Sequence, residues 1–458
     1  MSESLEQLVT PQLDQKQQMI AFAFLSDITA GVVYEQGKLT LPELQQQVQK
    51  DLKKQMNAVL QNTKVAPHME GWSCATDPWV DLVADSRGLI LARNTTAILI
   101  NGNEVVIAVA GTNFIENYDW FTEDLSVVKQ VAWSTVSDAL PGGTVKVDTN
   151  SGLISEGTQI ALVNTWNQKG ATSGQNLIDT LKTVVSTIKE DQVRLIVTGH
   201  SLGGAICPVT AQALYEHRSG WSGSKTVSVT AYPFAGPTVG NQDFVNYVQP
   251  KEMIEGKIDL ISTYNTLDIV PHGWNLTMMG EMHDLFSPFL TDADKSLYGN
   301  LITATITWLT GKSSHTNKAD NYVRWNSEAT ITGTFPKSKV DFDFSAGAFS
   351  AVLLEALSHK DNKETRDAIC KICNVAVVPD VKIVIALITP YVLYFSKFLM
   401  LLGREHIAEY YACIIKDGTF ITDYQDAMKA AKGKVDKAKA LKAGMDVLME
   451  LFVDVANA

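Results

Sequence analysis

Val193-Arg194-Leu195-Ile196-Val197-Thr198-Gly199-His200-Ser201-Leu202-Gly203-Gly204-Ala205 is the stretch that decides how this chain is read. An apolar, β-branched run ends in a Gly-x-Ser-x-Gly, and a helix-compatible segment follows from Ala205 to Tyr215. Strand, motif and helix in that order make a nucleophile elbow. A Cβ at Gly199 or Gly203 would collide with the neighbouring strand or helix, so the sharp turn demands glycine there. Ser201 is expected to sit in a strained conformation that presents its Oγ to solvent. Leu202 opens the helix, and its backbone N–H is an orphan donor aimed at the same spot. His200 completes the elbow. Three fixed positions recur often by chance, so it is the flanking strand and helix that carry the weight.

Composition narrows the classes. The formal charge of −12 argues against nucleic acid as a partner, because phosphate binding requires a basic face. Five cysteines are scattered and odd in number, which is no disulfide framework. Cys370 and Cys373 form a C-x-x-C without a second pair at metal-ligand spacing, and two thiols one helical turn apart explain them. No metal and no cofactor are expected. Met1 to Gln18 is acidic and polar, without the basic and apolar regions of a Sec signal peptide. A cytoplasmic location is the default expectation, with export by a signal-less route left open.

Three regions are expected. Residues 1–65 read as a helical segment packed on the core: Thr40-Leu41-Pro42-Glu43 is a capping-box start, and Leu41, Leu44, Val48, Leu52, Met56, Val59 and Leu60 follow at helical spacing. Residues 66–335 form the core. Within it, strands are expected at Thr95–Ile100 and Val105–Ala110, joined by an Asn101-Gly102-Asn103 hairpin turn, and at Arg194–Thr198, Thr226–Phe234 and Lys257–Asn265. Helices fit Thr158–Asn167, Leu177–Glu190 and Leu202–His217. Such alternation predicts an α/β protein with a mainly parallel sheet and a ligand at the strands' carboxyl ends. Residues 336–458 read as mostly helical, with Ala346–Ser358 and Glu364–Cys373 as candidates. The uncharged run from Ile383 to Ser396, broken by Pro390, is short of a membrane span and suits a buried or lipid-facing hairpin. Lys429, Lys432, Lys434, Lys437, Lys439 and Lys442 read first as a solvated helix face and second as a site for anionic headgroups.

A serine nucleophile needs a base, an acid that orients the base, and donors for the oxyanion. In an α/β-hydrolase the order is Ser, then acid, then His. Asp268, just beyond the strand ending at Asn265, is the acid candidate. The turn Gly111-Thr112-Asn113 after Val105–Ala110 offers the Thr112 N–H as the second oxyanion donor beside Leu202. Phe114, Ile115, Tyr118, Trp120 and Phe121, interleaved with polar residues, could cover the site.

Here a resemblance becomes specific. Val109-Ala110-Gly111-Thr112 followed by Asp119-Trp120-Phe121-Thr122-Glu123-Asp124-Leu125 resembles the oxyanion turn and lid of the class 3 lipases, the fungal-type triacylglycerol lipase family. Thr198–Ala205 is similar to that family's elbow, Tyr232–Asn241 to its Phe-Gly-x-Pro-x-Val-Gly strand end, and Asn265–Pro271 to its catalytic-acid segment. The motifs stand in family order. Two positions depart from the pattern: Ala110 replaces the usual Arg before the oxyanion glycine, and either Glu123 or Asp124 stands for the acidic residue after the lid tryptophan.

The histidine is open. His272 lies too close to Asp268 to swing back to Ser201, His359 adjoins the charged Lys360-Asp361, and nothing around His283 suggests a loop. His315 sits in Ser313-Ser314-His315-Thr316-Asn317, a loop of suitable character. His406 resembles the family's late segment, with Tyr410 and Tyr411 four and five residues on, and is preferred, with His315 the runner-up.

The expectation is therefore an α/β-hydrolase fold with a mainly parallel sheet and helical elaborations at both ends. The resemblance implies a serine ester hydrolase with Ser201, Asp268 and His406, acting on acylglycerols. A phospholipase A1 acting on bilayers is the first alternative, and an inactive lipid-binding protein the second. Peripheral lipid contact would come through the lid, residues 383–402 and the Lys-rich tail.

Overall fold

The computed structural model describes residues 12–84, 89–111, 127, 129–142, 145–250, 257–275, 277–278, 281, 285, 322–333 and 404–432. The strands, in chain order, are β1 (Val33–Tyr34), β2 (Ser73–Cys74), β3 (Trp79–Ala84), β4 (Ile90–Asn101), β5 (Glu104–Val109), β6 (Gln130–Ala132), β7 (Leu153–Ser155), β8 (Gln192–His200), β9 (Thr226–Phe234), β10 (Asp259–Leu260), β11 (Ser262–Asn265) and β12 (Glu328–Ile331). The helices are α1 (Gln15–Ser26), α2 (Leu41–Leu60), α3 (Trp133–Ala139), α4 (Glu156–Asn167), α5 (Leu177–Thr187), α6 (Leu202–Glu216), α7 (Gln242–Val248) and α8 (Gly418–Lys432). Two short π-helical turns, Arg404–Ala408 and Tyr411–Ile415, precede α8.

The main sheet runs β1-β4-β5-β8-β9-β11-β12, with β2 and β3 also on β4 and β10 on β9. From β5 onward neighbours are parallel. Around β4 they are antiparallel, and Asn101 faces Glu104 across the expected Asn-Gly turn, where Gly102 has φ 57°. This is the α/β-hydrolase arrangement that the alternation of β and helical runs implies.

Both faces of the sheet are covered, and period-two alternation divides the strand side chains between them. Val105, Ile107, Val109, Leu195 and Val197 enter a core with α4, α5 and α6. Val106, Ala108 and Ile196 enter a second core with α1, α2 and the C-terminal segment. Helix α1 begins in a capping box between Asp14 and Gln17 and is buried continuously from Met19 to Ser26. A helix apolar all round needs cover on every side. β8 supplies one side, through Thr198 Oγ1 to the Met19 carbonyl at 3.0 Å, and α8 another, through the Tyr424 hydroxyl to the Ala21 carbonyl at 2.6 Å. Gln17 Nε2 adds bonds to the carbonyls of Ile414 (3.2 Å) and Ile415 (3.0 Å). The N-terminal helix is thus a layer between the sheet and the C-terminal segment.

Several local expectations shift. The strand expected at Lys257–Asn265 is two short strands broken at Ile261. The helix expected to reach Glu190 ends at Thr187, because Ile188 turns extended (φ −74°, ψ 130°) on the way into β8. His406 lies in a π-helical turn instead of opening an α-helix. Strand β12, which carries little apolar alternation, was not legible, yet it pairs with β11 residue for residue from Ser262 opposite Glu328 to Asn265 opposite Ile331. Thr112, the lid positions 114–121, His283, His315, His359, the helices expected between 346 and 373 with Cys370 and Cys373, the 383–402 run and Lys434 to Lys442 all lie outside the described residues.

Candidate active site

β8 delivers Ser201 to the carboxyl edge of the parallel sheet, where α6 begins. Ser201 is the N-cap of α6 and has φ 59° and ψ −126°, a region L-residues rarely occupy. Its N–H donates to the Phe234 carbonyl at 3.0 Å, and its own carbonyl accepts from Ala205 N–H at 3.1 Å. The turn holds only because glycines line it: a Cβ at Gly199 would overlap the Gly203 carbonyl, and one at Gly203 would overlap that of Val109. Gly204 is equally constrained, against the Phe234 carbonyl, and the sequence reading had not singled it out. Gly111 lies against the elbow, since a Cβ there would come 2.8 Å from the His200 carbonyl and 3.2 Å from Ser201 Cβ. Gly111 therefore lies immediately beside the serine.

Asp268 follows β11 in a tight turn, its N–H donating to the Asn265 carbonyl at 3.0 Å. The side chain is fully buried. Oδ1 accepts from Val270 N–H at 3.0 Å; Oδ2 accepts from His406 Nδ1 at 2.7 Å and from the Tyr410 hydroxyl at 3.0 Å. A buried carboxylate with three donors is satisfied and held in one orientation. His406 is 9% exposed, and its Nε2 has no hydrogen-bond partner among the described residues. With Nδ1 donating to Asp268, a neutral imidazole presents a lone pair at Nε2. No hydrogen bond joins Ser201 to that nitrogen in this state. Of the other histidines considered, His272 turns its Nδ1 to the Asp268 carbonyl at 2.9 Å and stays a buried local residue.

His200, between Gly199 and Ser201, supports the arrangement. Its ring lies 4.4 Å from that of His406 and 4.7 Å from Phe24, which stacks on Tyr411 at 4.2 Å and 15°. Burial holds the His200 pKa well below its ordinary value, and the nearby His406 pushes the same way. The neutral ring then carries its proton on Nε2, which donates to the His406 carbonyl at 2.5 Å.

Sequence reasoning did not single out Asn265 as part of this assembly. Its Oδ1 accepts from Leu267 N–H (3.1 Å) and Gly333 N–H (2.9 Å), and its Nδ2 donates to the carbonyl and carboxylate of Glu405, both at 2.9 Å. One amide thus ties the Asp268 turn, the end of β12 and the residue before His406. Its N–H also donates to the Tyr410 hydroxyl at 2.8 Å, so that hydroxyl relays from β11 to Asp268. The spacing of Tyr410 from His406 was visible in the sequence; its partner was not.

Comparison with known proteins bears on the fold and the kind of protein this chain is similar to. The architecture is that of the α/β-hydrolases: the crystal structure of M37 lipase superposes with a TM-score of 0.55 at 19% identity, covering 91% of this chain and 98% of that one. Residues 106–277 match the family described as Lipase (class 3), a stretch that holds Gly111, the Ser201 elbow and Asp268. Phospholipase A1-II 1 of Oryza sativa subsp. indica is 24% identical over 237 residues, 52% of this chain and 53% of that one. The lipase of Rhizomucor miehei is 37% identical over 91 residues, 20% of this chain and 23% of that one. The chain spans about half the length of the rice relative it matches.

Proposed function

We propose that the chain is a serine-dependent carboxylic ester hydrolase acting on acylglycerols. The observation that carries this reading is the Nδ1 bond of His406 to buried Asp268, which leaves Nε2 as a base beside the strained Ser201 elbow. Ser201 Oγ attacks the ester carbonyl while His406 Nε2 takes its proton, and Asp268 stabilises the imidazolium. The N–H groups of Leu202 and Thr112 receive the oxyanion. On collapse of the tetrahedral intermediate the imidazolium protonates the leaving alcohol, and water then repeats the sequence on the acyl-serine. Contacts between nucleophile and base tighten as substrate binds, which closes the Ser201–His406 bond in the reacting complex. The family match over the elbow and acid segments supports the same reading.

A phospholipase A1 activity uses the same groups, and the rice relative favours it as the second reading. The lid expected at Phe114, Ile115, Tyr118, Trp120 and Phe121, the 383–402 run and the Lys-rich tail would supply peripheral contact with lipid, except for half-buried Lys432, which turns inward to the Ala30 carbonyl. Initial rates on triacylglycerol emulsions and on phosphatidylcholine vesicles separate the two, with Ser201→Ala as the control. That variant is expected to lose at least ~10³-fold in kcat while keeping its circular dichroism spectrum. A folded Ser201→Ala protein that still hydrolyses either substrate would overturn both readings.

A further inference from the structure

Asp27 is the residue that ends α1 and opens the 3₁₀ turn Asp27–Thr29. Its Oδ1 accepts from the Gly111 N–H at 2.7 Å. Gly111 is the last described residue before Thr112 and lies between this carboxyl group and the elbow, since a Cβ placed on it would reach His200, Ser201 and Asp27 together. The turn that carries Asp27 is tied to the same strand end from a second point. Thr29 Oγ1 bonds Thr95 Oγ1 at 2.8 Å, and the Thr95 carbonyl accepts from Ala110 N–H at 2.9 Å. Thus consecutive backbone N–H groups, those of Ala110 and Gly111, are aligned by one small assembly that α1 brings to the sheet edge.

We propose that Asp27 is a positioning residue for the nucleophile elbow: by holding the Gly111 N–H it keeps Gly111 seated against the His200 carbonyl and Ser201, and so sets where Ser201 and the Leu202 N–H donor meet the substrate. This rests on the ester-hydrolase reading above. Asp27 touches neither substrate nor Ser201 Oγ, and acts through Gly111. The bracing comes from the end of the N-terminal helix, which lies outside the family-matched residues 106–277. Asp27 lines a narrow pocket with Thr29, Ala30, Arg93, Asn94 and Gly111. Burial raises its pKa to about 7, against the opposing pull of the Gly111 N–H, Lys432 on α8 and His406; the Tyr411 and Tyr424 hydroxyls also face it. The role requires an acceptor at Oδ1, which the neutral and the ionised acid both supply.

Asp27→Asn and Asp27→Leu have nearly the same shape, and only the first keeps an acceptor. Loss of a whole oxyanion donor costs about 10²–10³-fold in kcat. A misaligned donor should therefore cost Asp27→Leu about 10–100-fold in kcat on a soluble short-chain ester, with KM within about threefold of wild type. Asp27→Asn should restore kcat to within about threefold. A boronic acid that mimics the tetrahedral intermediate should lose affinity for the Leu variant in proportion to kcat, because both read the same oxyanion contact. A change confined to stability moves neither ratio. If the Leu variant does not fold, Asp27→Ala is read in its place. Wild-type kcat in the folded acceptor-free variant, or equal losses in Asn and Leu, would overturn the proposal. Ser201→Ala measured alongside keeps the outcomes distinct: an active Ser201→Ala refutes the hydrolase reading itself, whereas an inactive one beside a fully active Asp27→Leu refutes only the role of Asp27.

Discussion

At the residue scale the site depends on which histidine stands behind Ser201. His406 is bound to Asp268 through Nδ1, and its ring packs on that of His200 in the elbow. His406→Ala is accordingly expected to lose about 10³-fold or more in kcat, since removing the base disables the nucleophile as a unit. His315→Ala should stay within a few-fold of wild type. Single-turnover kinetics on a chromogenic ester compares them directly, and an inactive His315 variant beside an active His406 variant would reverse the assignment. Asp268 could be read from its place after a strand in Asn265-Thr266-Leu267-Asp268. Its pairing with His406, far along the chain, was preferred only through the resemblance of the His406–Tyr411 segment, because nothing local at either residue specifies that distance.

At the scale of elements, α1 connects the site to both ends of the chain. Phe24 is sandwiched between His200 and Tyr411, with centroids 4.7 Å and 4.2 Å away. Phe24→Ala should cost about 3–5 kcal/mol of stability, as other large core truncations do. It should also lower kcat, because the His200 ring behind His406 loses its backing. Thr40→Ala at the α2 cap provides the contrast. Thr40 accepts the Glu43 N–H and Glu43 returns the bond to the Thr40 N–H, so the loss should be about 1 kcal/mol with kcat unchanged. Urea denaturation together with kcat on each variant tests the pair; an unchanged kcat in folded Phe24→Ala would confine α1 to a structural role. Helix α2 was legible from its cap and its apolar spacing. α1 has no polar face, so its sequence shows only that it is buried, and what it lies against is decided by the sheet and α8.

At the scale of the whole molecule, buried ionisable groups make stability depend on pH. Asp27 has its pKa raised from 3.8 to about 7, so between those values the unfolded chain gives up its proton first and stability falls as pH rises. His200 and His272 are lowered by burial from 6.5, so their stabilising neutral state is undercut as pH falls below about 6.5. Asp27→Asn isolates the first effect. Its Tm relative to wild type should increase from pH 5 to pH 8 by the equivalent of a few kcal/mol at most. A difference that stays flat with pH would mean that Asp27 ionises at its ordinary value, the pull of the Gly111 N–H, Lys432 and His406 fully offsetting its burial. The lid proposed at residues 114–121 is tested at this scale too. Exposing Phe114, Ile115, Tyr118, Trp120 and Phe121 to water would cost several kcal/mol at about 1.5–3 each, whereas a lipid surface would take them up. Activity on a short-chain ester is therefore expected to rise sharply as substrate passes its solubility limit. Trp120 fluorescence, isolated by replacing the other tryptophans, should shift when micelles are added. Smooth saturation with an unresponsive Trp120 would leave an esterase without a lid.

The sequence by itself determined whatever depends on local sterics and short-range periodicity. The elbow glycines leave no room for a Cβ, the Asn101-Gly102 turn sets the β4–β5 hairpin, and alternating apolar residues in β5 and β8 demand cover on both faces of a parallel sheet. Only the tertiary structure decided which distant groups meet. Asn265 joins β12 to Glu405, the Tyr410 hydroxyl reaches Asp268, and Asp27 takes the Gly111 N–H from a helix that local pattern shows only as apolar. These contacts exist because buried polar groups must find partners. Which partner each one finds depends on how the layers close over the sheet, and that is a property of the assembled chain and not of any window within it.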